Sequence, residues 1–245
     1  MVYEPRTYRA LVDPAGLVTF TVVHAETDLQ VSALRDLSEE TRERVRGLRA
    51  ELEAFIAIFP RFAEAHVPVE IPASAPALAR AMSEAARVAG VGPMAGVAGA
   101  FAEAVARGLE PLSAEVVVEN GGDLYLMGRQ ERAVLLSAGD SPLSGSVALA
   151  LAADALPVAV CTSSGRVGPS LSYGGAHAAT VLASSGALAD AAASAVGNLV
   201  HDSDDIERAL ARAREIPGVL GAVVIADDRI GATGSIVRLV PAPGR

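Results

Sequence analysis

Two neighbouring segments built almost entirely from small side chains constrain the fold of this chain more than any other feature. Residues 77–88 read as an Ala-rich helix, GVGP breaks the run, and residues 94–108 read as a second helix of the same kind. Alanine faces make good contact only when helix axes come close, so the pair predicts two helices packed at short range. The bias is general: 51% of the residues are apolar, yet aromatics make up 4% and tryptophan is absent. Such an interior is filled by close backbone approach, not by large rings. At 245 residues the chain can bury a substantial core, and it reads as one domain over 1–245. A hairpin and a long helix in 1–75 lead into a core in 76–240 that carries the candidate site.

The other periodicities are mixed. Residues 8–23 alternate around Asp13, Pro14, Ala15 and Gly16, which predicts an N-terminal hairpin. Ser38 is placed as an N-cap with Glu39 and Glu40 in the first turn; Val45, Leu48, Leu52, Phe55, Ile56 and Phe59 then recur at helical spacing until Pro60. The charged residues Arg42, Glu43, Arg46, Arg49 and Glu53 form the opposite, solvated face. Strands are predicted at 114–118, 124–127, 132–136, 155–161, 179–183, 221–225 and 235–239. Helices are predicted at 187–199 and 204–215, the second capped by Ser203 or Asp202, and 241–245 read as frayed. No internal repeat stands out. Strands and helices do not alternate strictly, so the expected class is α+β and not a simple doubly wound sheet.

Charge and composition exclude several functions. Twenty basic against twenty-nine acidic residues give a formal charge of −9, and no Lys/Arg cluster carries interleaved aromatics, so nucleic acid is not an expected partner. Cys161 is the single cysteine; it has no disulfide partner and no companion thiolate for a zinc site, which fits a reducing compartment. The start MVYEPRTYRALVDP is charged and broken by proline, unlike a secretory leader, and a cytoplasmic location is expected. Residues 88–105 are too interrupted by Gly, Pro93 and Glu103 to span a membrane. His24, His66, His177 and His201 are scattered, and no GxSxG elbow is present, so neither zinc chemistry nor triad hydrolysis is indicated.

Three short stretches are candidates for chemistry. Asn120, Gly121, Gly122 and Asp123 lie between two strands; the glycines suit close approach of a ligand and the carboxylate can accept from a hydroxyl or ring nitrogen, but a tight hairpin that needs glycine is the commoner reason for GGD between strands. Thr162, Ser163, Ser164 and Gly165 follow a strand and present three hydroxyls before Arg166, as a phosphate-holding loop or as an ordinary polar connection. Asp190 and Ser194 stand one turn apart on an Ala-rich helix. That pair suits a hard divalent cation such as Mg²⁺, while an Asp near a helix N-terminus is also favoured by the dipole alone.

Taken in order over 94–198, these pieces resemble the ApbE family of FAD:protein FMN transferases. ENGGD corresponds to the family's NxGGD, CTSSG to its TSG, ATVLA to its SVTV, and ALADAAAS to its ADALAT. The whole chain, with YEPRTYR, TSSGRVGPSLSYG and ALADAAASAVGN, is more similar still to a short, leaderless ApbE-related branch. The resemblance implies an ApbE-like, T-fold-related architecture of mixed sheets with packed Ala-rich helices. It implies FAD or FMN as ligand, and Mg²⁺ held by Asp190, Ser194 and a backbone carbonyl near Ala98. Gly121, Gly122 and Asp123 would line the flavin, and Thr162, Ser163, Ser164 and Gly165 would approach its phosphates or ring. An acceptor protein carrying a Thr or Ser would be the partner.

The chain departs from the family pattern in two places. Where ApbE enzymes carry KGYAVD it reads AGAFAEA, and where they carry HHIxDPxTG it has only RVGPSLSYGGAH. A non-catalytic flavin or metabolite binder with the same fold is therefore the alternative, and an assembly role with the Ala-rich helices at a homo-oligomer interface is a third reading.

Overall fold

The computed structural model describes residues 16–165 and 174–242. It opens with strands β1 (Val18–His24) and β2 (Thr27–Ala33), followed by helices α1 (Ser38–Ile58), α2 (Arg61–Glu64), α3 (Ala77–Ala89) and α4 (Val97–Leu109). The chain returns to sheet as β3 (Val116–Asn120), β4 (Asp123–Met127), β5 (Arg132–Leu135) and β6 (Val147–Leu151). Strands β7 (Val158–Ser163) and β8 (Ala178–Ala183) lead into α5 (Gly186–Gly197) and α6 (Ile206–Glu215), and β9 (Val219–Ala226), β10 (Arg229–Thr233) and β11 (Arg238–Pro241) complete the order.

Eight of these strands form one antiparallel sheet in the order β1-β2-β3-β4-β7-β8-β9-β10. It consists of two consecutive four-stranded meanders, each with its helices inserted between the second and third strand, joined where β4 pairs with β7. A smaller sheet, β11-β6-β5, lies on the opposite side from the helices. Pleating divides the core accordingly. Val116, Val118, Tyr125, Ala159, Cys161, Ala179, Val181, Ala222 and Val224 face the helices. Val117, Leu124, Leu126, Val158, Val160, Leu182, Val223 and Ile225 face the small sheet. Because both faces are covered, the central strands read as unbroken apolar runs, not as alternation. Large branched residues fill the sheet-on-sheet side, and Ala fills much of the helix side, which lets α4 and α5 settle close to the strands. Buried Glu115 and Arg132 pair at 2.7 Å and tie the start of β3 to β5.

The expected α+β class is observed, with corrections to its elements. The described hairpin is β1–β2, turning at Ala25 and Glu26; the expected arm from residue 8 and its turn at Asp13, Pro14 and Ala15 lie outside the described residues. Ser38 does not cap α1: Leu37 holds the cap position, and Asp36 Oδ1 accepts from the Ser38 N–H at 2.8 Å. The strand expected over 155–161 starts at Val158 and continues through Ser163, since Pro157 has no N–H for the ladder. The helix expected from Met94 begins as a 3-10 turn, Pro93–Gly96, and becomes α-helical at Val97. The final strand is Arg238–Pro241 instead of 235–239, and β2, β6 and β10 were not expected. No single described helix is long and apolar enough to cross a membrane.

Thr41, in the first turn of α1, is fully buried, and its Oγ1 has no hydrogen-bond partner among the described residues. An unsatisfied buried hydroxyl is costly, whereas a methyl of similar shape is not. Thr41→Val is expected to raise stability by about 1 kcal/mol, read as a higher urea midpoint with unchanged slope.

Candidate functional site

The site forms where the first turns of α4 and α5 cross above the ends of β3, β4 and β7. The crossing is made by two glycines. A Cβ on Gly99 would overlap the Gly186 carbonyl oxygen and stand 2.9 Å from the Asp190 Cβ; a Cβ on Gly186 would overlap the Gly99 carbonyl oxygen and stand 3.0 Å from the Glu103 Cβ. Close approach therefore involves α4 and α5, in addition to the α3–α4 neighbours expected from their spacing. Each helix then caps the other. The Gly99 N–H donates to Asp190 Oδ2 at 2.9 Å, and the Gly186 N–H donates to Glu103 Oε2 at 2.7 Å. Neither α4 nor its flanking residue supplies a side-chain cap of its own, so Asp190 does so from another helix. The dipole explanation for Asp190 is thus correct in kind, but the helix end it serves is that of α4.

This reciprocal contact was visible in the sequence as GAFAEA at 99–104 and GALADA at 186–191, each with glycine and acid one turn apart. The two copies echo each other with only two changed residues, Phe101 against Leu188 and Glu103 against Asp190, and the expectation of no internal repeat overlooked them. Glu103 is the site residue missed as a result.

Beneath the crossing, Asn120, Gly121, Gly122 and Asp123 form the β3–β4 hairpin. Gly121 and Gly122 have φ of 68° and 99°, the conformation a two-residue hairpin loop requires, so the structural reading of these glycines holds. Among the described residues nothing lies within 4 Å of where either Cβ would be, so none of them fills the space beside the turn. The Gly122 N–H donates to Glu119 Oε1 at 2.8 Å. Asn120 Nδ2 donates to the Ala98 carbonyl at 3.0 Å, binding the hairpin to the start of α4. Asp123 is buried, and its Oδ1 accepts from the Thr162 N–H at 3.1 Å.

Asp123, Asp190 and Cys161 share one low-dielectric pocket, and their proton affinities respond together. Burial pushes the Asp123 carboxyl well up, with the negative charge of Asp190 adding to it. Burial raises Asp190 to about 7 despite partial exposure of the residue and opposing hydrogen bonds from the Gly99 and Ala98 N–H groups. The Cys161 thiol is fully buried and raised by burial first, then by the two carboxylates, which disfavours the thiolate that a nucleophile requires. Among the described residues no positive charge acts on either acid, an environment that a hard cation relieves.

The structure thus brings together Ala98, Asn120, Asp123 and Asp190. Ser194 lies one turn further along α5, half-buried, and Ser163 lies beside Gly197 of the same helix. Thr162 contributes its N–H to Asp123, but its hydroxyl pairs with Thr180 at 2.9 Å on the small-sheet face, away from Asp190. Ser164 Oγ donates to the Ala176 carbonyl at 3.4 Å, and the Gly165 N–H donates to the same carbonyl at 3.0 Å. Among the described residues no three His, Cys, Asp or Glu side chains converge on a metal position. A cation here would draw on backbone, hydroxyl or ligand oxygens as well as carboxylate.

Comparison with known proteins places the chain in a family and identifies proteins of the same fold. The profile of the family described as AbpE bacteria matches residues 9–230. A UPF0280 protein of Methanopyrus kandleri is 40% identical over 235 residues, covering 93% of this chain and 95% of that protein. A UPF0280 protein of Methanocaldococcus jannaschii is 40% identical over 207 residues, covering 82% and 84%. The apo flavinyl transferase ApbE of Pseudomonas stutzeri superposes with a TM-score of 0.56 at 15% identity, over 89% of this chain and 93% of that one. The flavin transferase ApbE of Vibrio cholerae gives 0.56 at 14%, over 91% and 98%. The mixed helix-and-sheet fold is therefore shared with these transferases.

Proposed function

Because the chain belongs to the AbpE bacteria family, we propose that it binds a flavin nucleotide at the α4–α5 crossing and, with Mg²⁺, transfers FMN from FAD to a Thr or Ser of an acceptor protein. The observation that carries this reading is the acid pair of buried Asp123 and partly exposed Asp190, set at the Ala98 carbonyl beside a two-glycine turn. Asp190, Ser194 and the Ala98 carbonyl would hold the cation, whose chemistry is to neutralise pyrophosphate charge. This chain's own groups do the rest. Asp190 is oriented by the α4 N-terminus, Asn120 holds the Ala98 carbonyl in place, and the Gly121–Gly122 turn presents a planar ring with no side chain of its own. The transfer joins the acceptor oxygen to the FMN phosphorus, breaks the phosphoanhydride bond, releases AMP and gives up the hydroxyl proton.

A second reading, binding without transfer, is favoured by AGAFAEA and RVGPSLSYGGAH standing where ApbE enzymes carry KGYAVD and HHIxDPxTG. Calorimetric titration with FAD, with and without Mg²⁺, tests the shared part of both. FAD binding is expected to tighten at least about tenfold with Mg²⁺. It is also expected to strengthen as pH rises through 7, because Asp190 must lose its proton to serve as a ligand. Absence of binding in both conditions would remove flavin from the assignment. Binding without AMP release in the presence of acceptor peptides would favour the second reading.

A further inference from the structure

Resting on that reading, we propose that Glu103 is a positioning residue: with Arg107 and Tyr125 it clamps the β8–α5 junction and so sets where Asp190 stands relative to the Ala98 carbonyl. The clamp is a closed circuit of hydrogen bonds. Glu103 Oε2 accepts from the Gly186 N–H at 2.7 Å, and Glu103 Oε1 accepts from Arg107 Nε at 2.7 Å. Arg107 Nη2 donates to the Tyr125 hydroxyl at 2.7 Å, with its guanidinium carbon 5.4 Å from the ring centroid. The Tyr125 hydroxyl in turn donates to the Ser184 carbonyl at 3.3 Å, two residues before Gly186. Tyr125 is fully buried on β4, two positions from Asp123, so the circuit is anchored to the strand that carries the other acid.

The consequence is geometric. Ala98 and Gly99 begin α4, and Asp190 lies one turn into α5, so the spacing of the two ligand groups depends on how the first turns of the helices are held. Asp190 holds α4 through Gly99, and Glu103 holds α5 through Gly186. With one of the two ties removed, the glycine contact still packs the helices, but α5 can slide or rotate about it. Residues that orient ligands from behind commonly change metal affinity by about 10–100-fold when removed.

The test compares the ratio of FAD dissociation constants without and with Mg²⁺ in wild type, Glu103→Ala and Glu103→Gln, by calorimetry on the full chain, with melting temperature measured alongside. Glu103→Ala is expected to cut that ratio about tenfold while Mg²⁺-free FAD binding stays close to wild type. Glu103→Gln keeps an acceptor for the Gly186 N–H and is expected to recover much of the loss. Should Glu103→Ala not fold, Tyr125→Phe, which keeps the ring and deletes the hydroxyl, is expected to lower the ratio in the same direction. A lower melting temperature with an unchanged ratio would reduce Glu103 to a structural tie and overturn the proposal. A wild type whose FAD binding ignores Mg²⁺ would instead overturn the cation reading on which it rests.

Discussion

Gly99→Ala is expected to destabilise the protein by at least about 3 kcal/mol, toward the upper end of what overpacking a core costs. The new methyl would overlap the Gly186 carbonyl oxygen, with the carbonyl carbon at 2.8 Å and the Asp190 Cβ at 2.9 Å. Backbone atoms cannot rotate aside as a flexible side chain can, so α4 and α5 would have to separate, breaking both reciprocal caps and lifting their alanine faces from the strands. Helix propensity works the other way, since Ala is favoured over Gly in a helix interior by roughly 1 kcal/mol. That opposition makes the experiment decisive. Gly47→Ala, in α1 with no described residue within 4 Å of the added Cβ, is expected to stabilise by about 0.5–1 kcal/mol in the same urea series. If Gly99→Ala behaved like Gly47→Ala, the close crossing would not exist in solution.

Asp190→Asn is expected to separate stability from cation binding. The folded carboxyl is raised to about 7 from an ordinary value of 3.8, so the native state holds this proton more tightly than the unfolded chain does. Full stability is therefore present below the unfolded value and is lost as pH climbs from about 4 to 7; above 7 the buried charge exerts its full penalty. Asn carries no charge and keeps an oxygen for the Gly99 N–H. Without Mg²⁺ at pH 8 the variant is expected to be more stable than wild type by about 2 kcal/mol, a figure lowered for the partial exposure of Asp190, and near pH 4 the two should converge. Added Mg²⁺ with FAD should raise the wild-type melting temperature and leave the variant unmoved. A variant less stable than wild type at pH 8 without Mg²⁺ would show that the carboxylate is satisfied by the protein alone.

Several elements were legible because their residues advertise them locally. Val45, Leu48, Leu52 and Phe55 announced the buried face of α1, and Gly121 and Gly122 announced a turn whose φ values only glycine adopts freely. The β1–β2 turn gave no such notice: it places Ala25 at φ 52°, a conformation an alanine does not signal, whereas Asp13, Pro14 and Gly16 signal a turn strongly. The β9–β10 turn similarly uses Asp227 at φ 55°, and β10 went unseen with it. At Thr162 the difficulty was register. Ending the strand at Cys161 leaves all three hydroxyls free in a loop, but the strand continues to Ser163, and pleating turns the Thr162 hydroxyl to the opposite face.

By itself, then, the sequence determined the α+β class, the Ala-rich helices, the glycine hairpin and the acids and hydroxyls of the candidate stretches, because each depends on neighbours within a few positions. Only the tertiary structure decided what those acids do. Asp190 meets Gly99 across 91 positions and Glu103 meets Gly186 across 83, and no local periodicity encodes such pairings. They exist because two glycines let two helix ends cross closely enough that the N–H groups left open at each end find the carboxylate of the other.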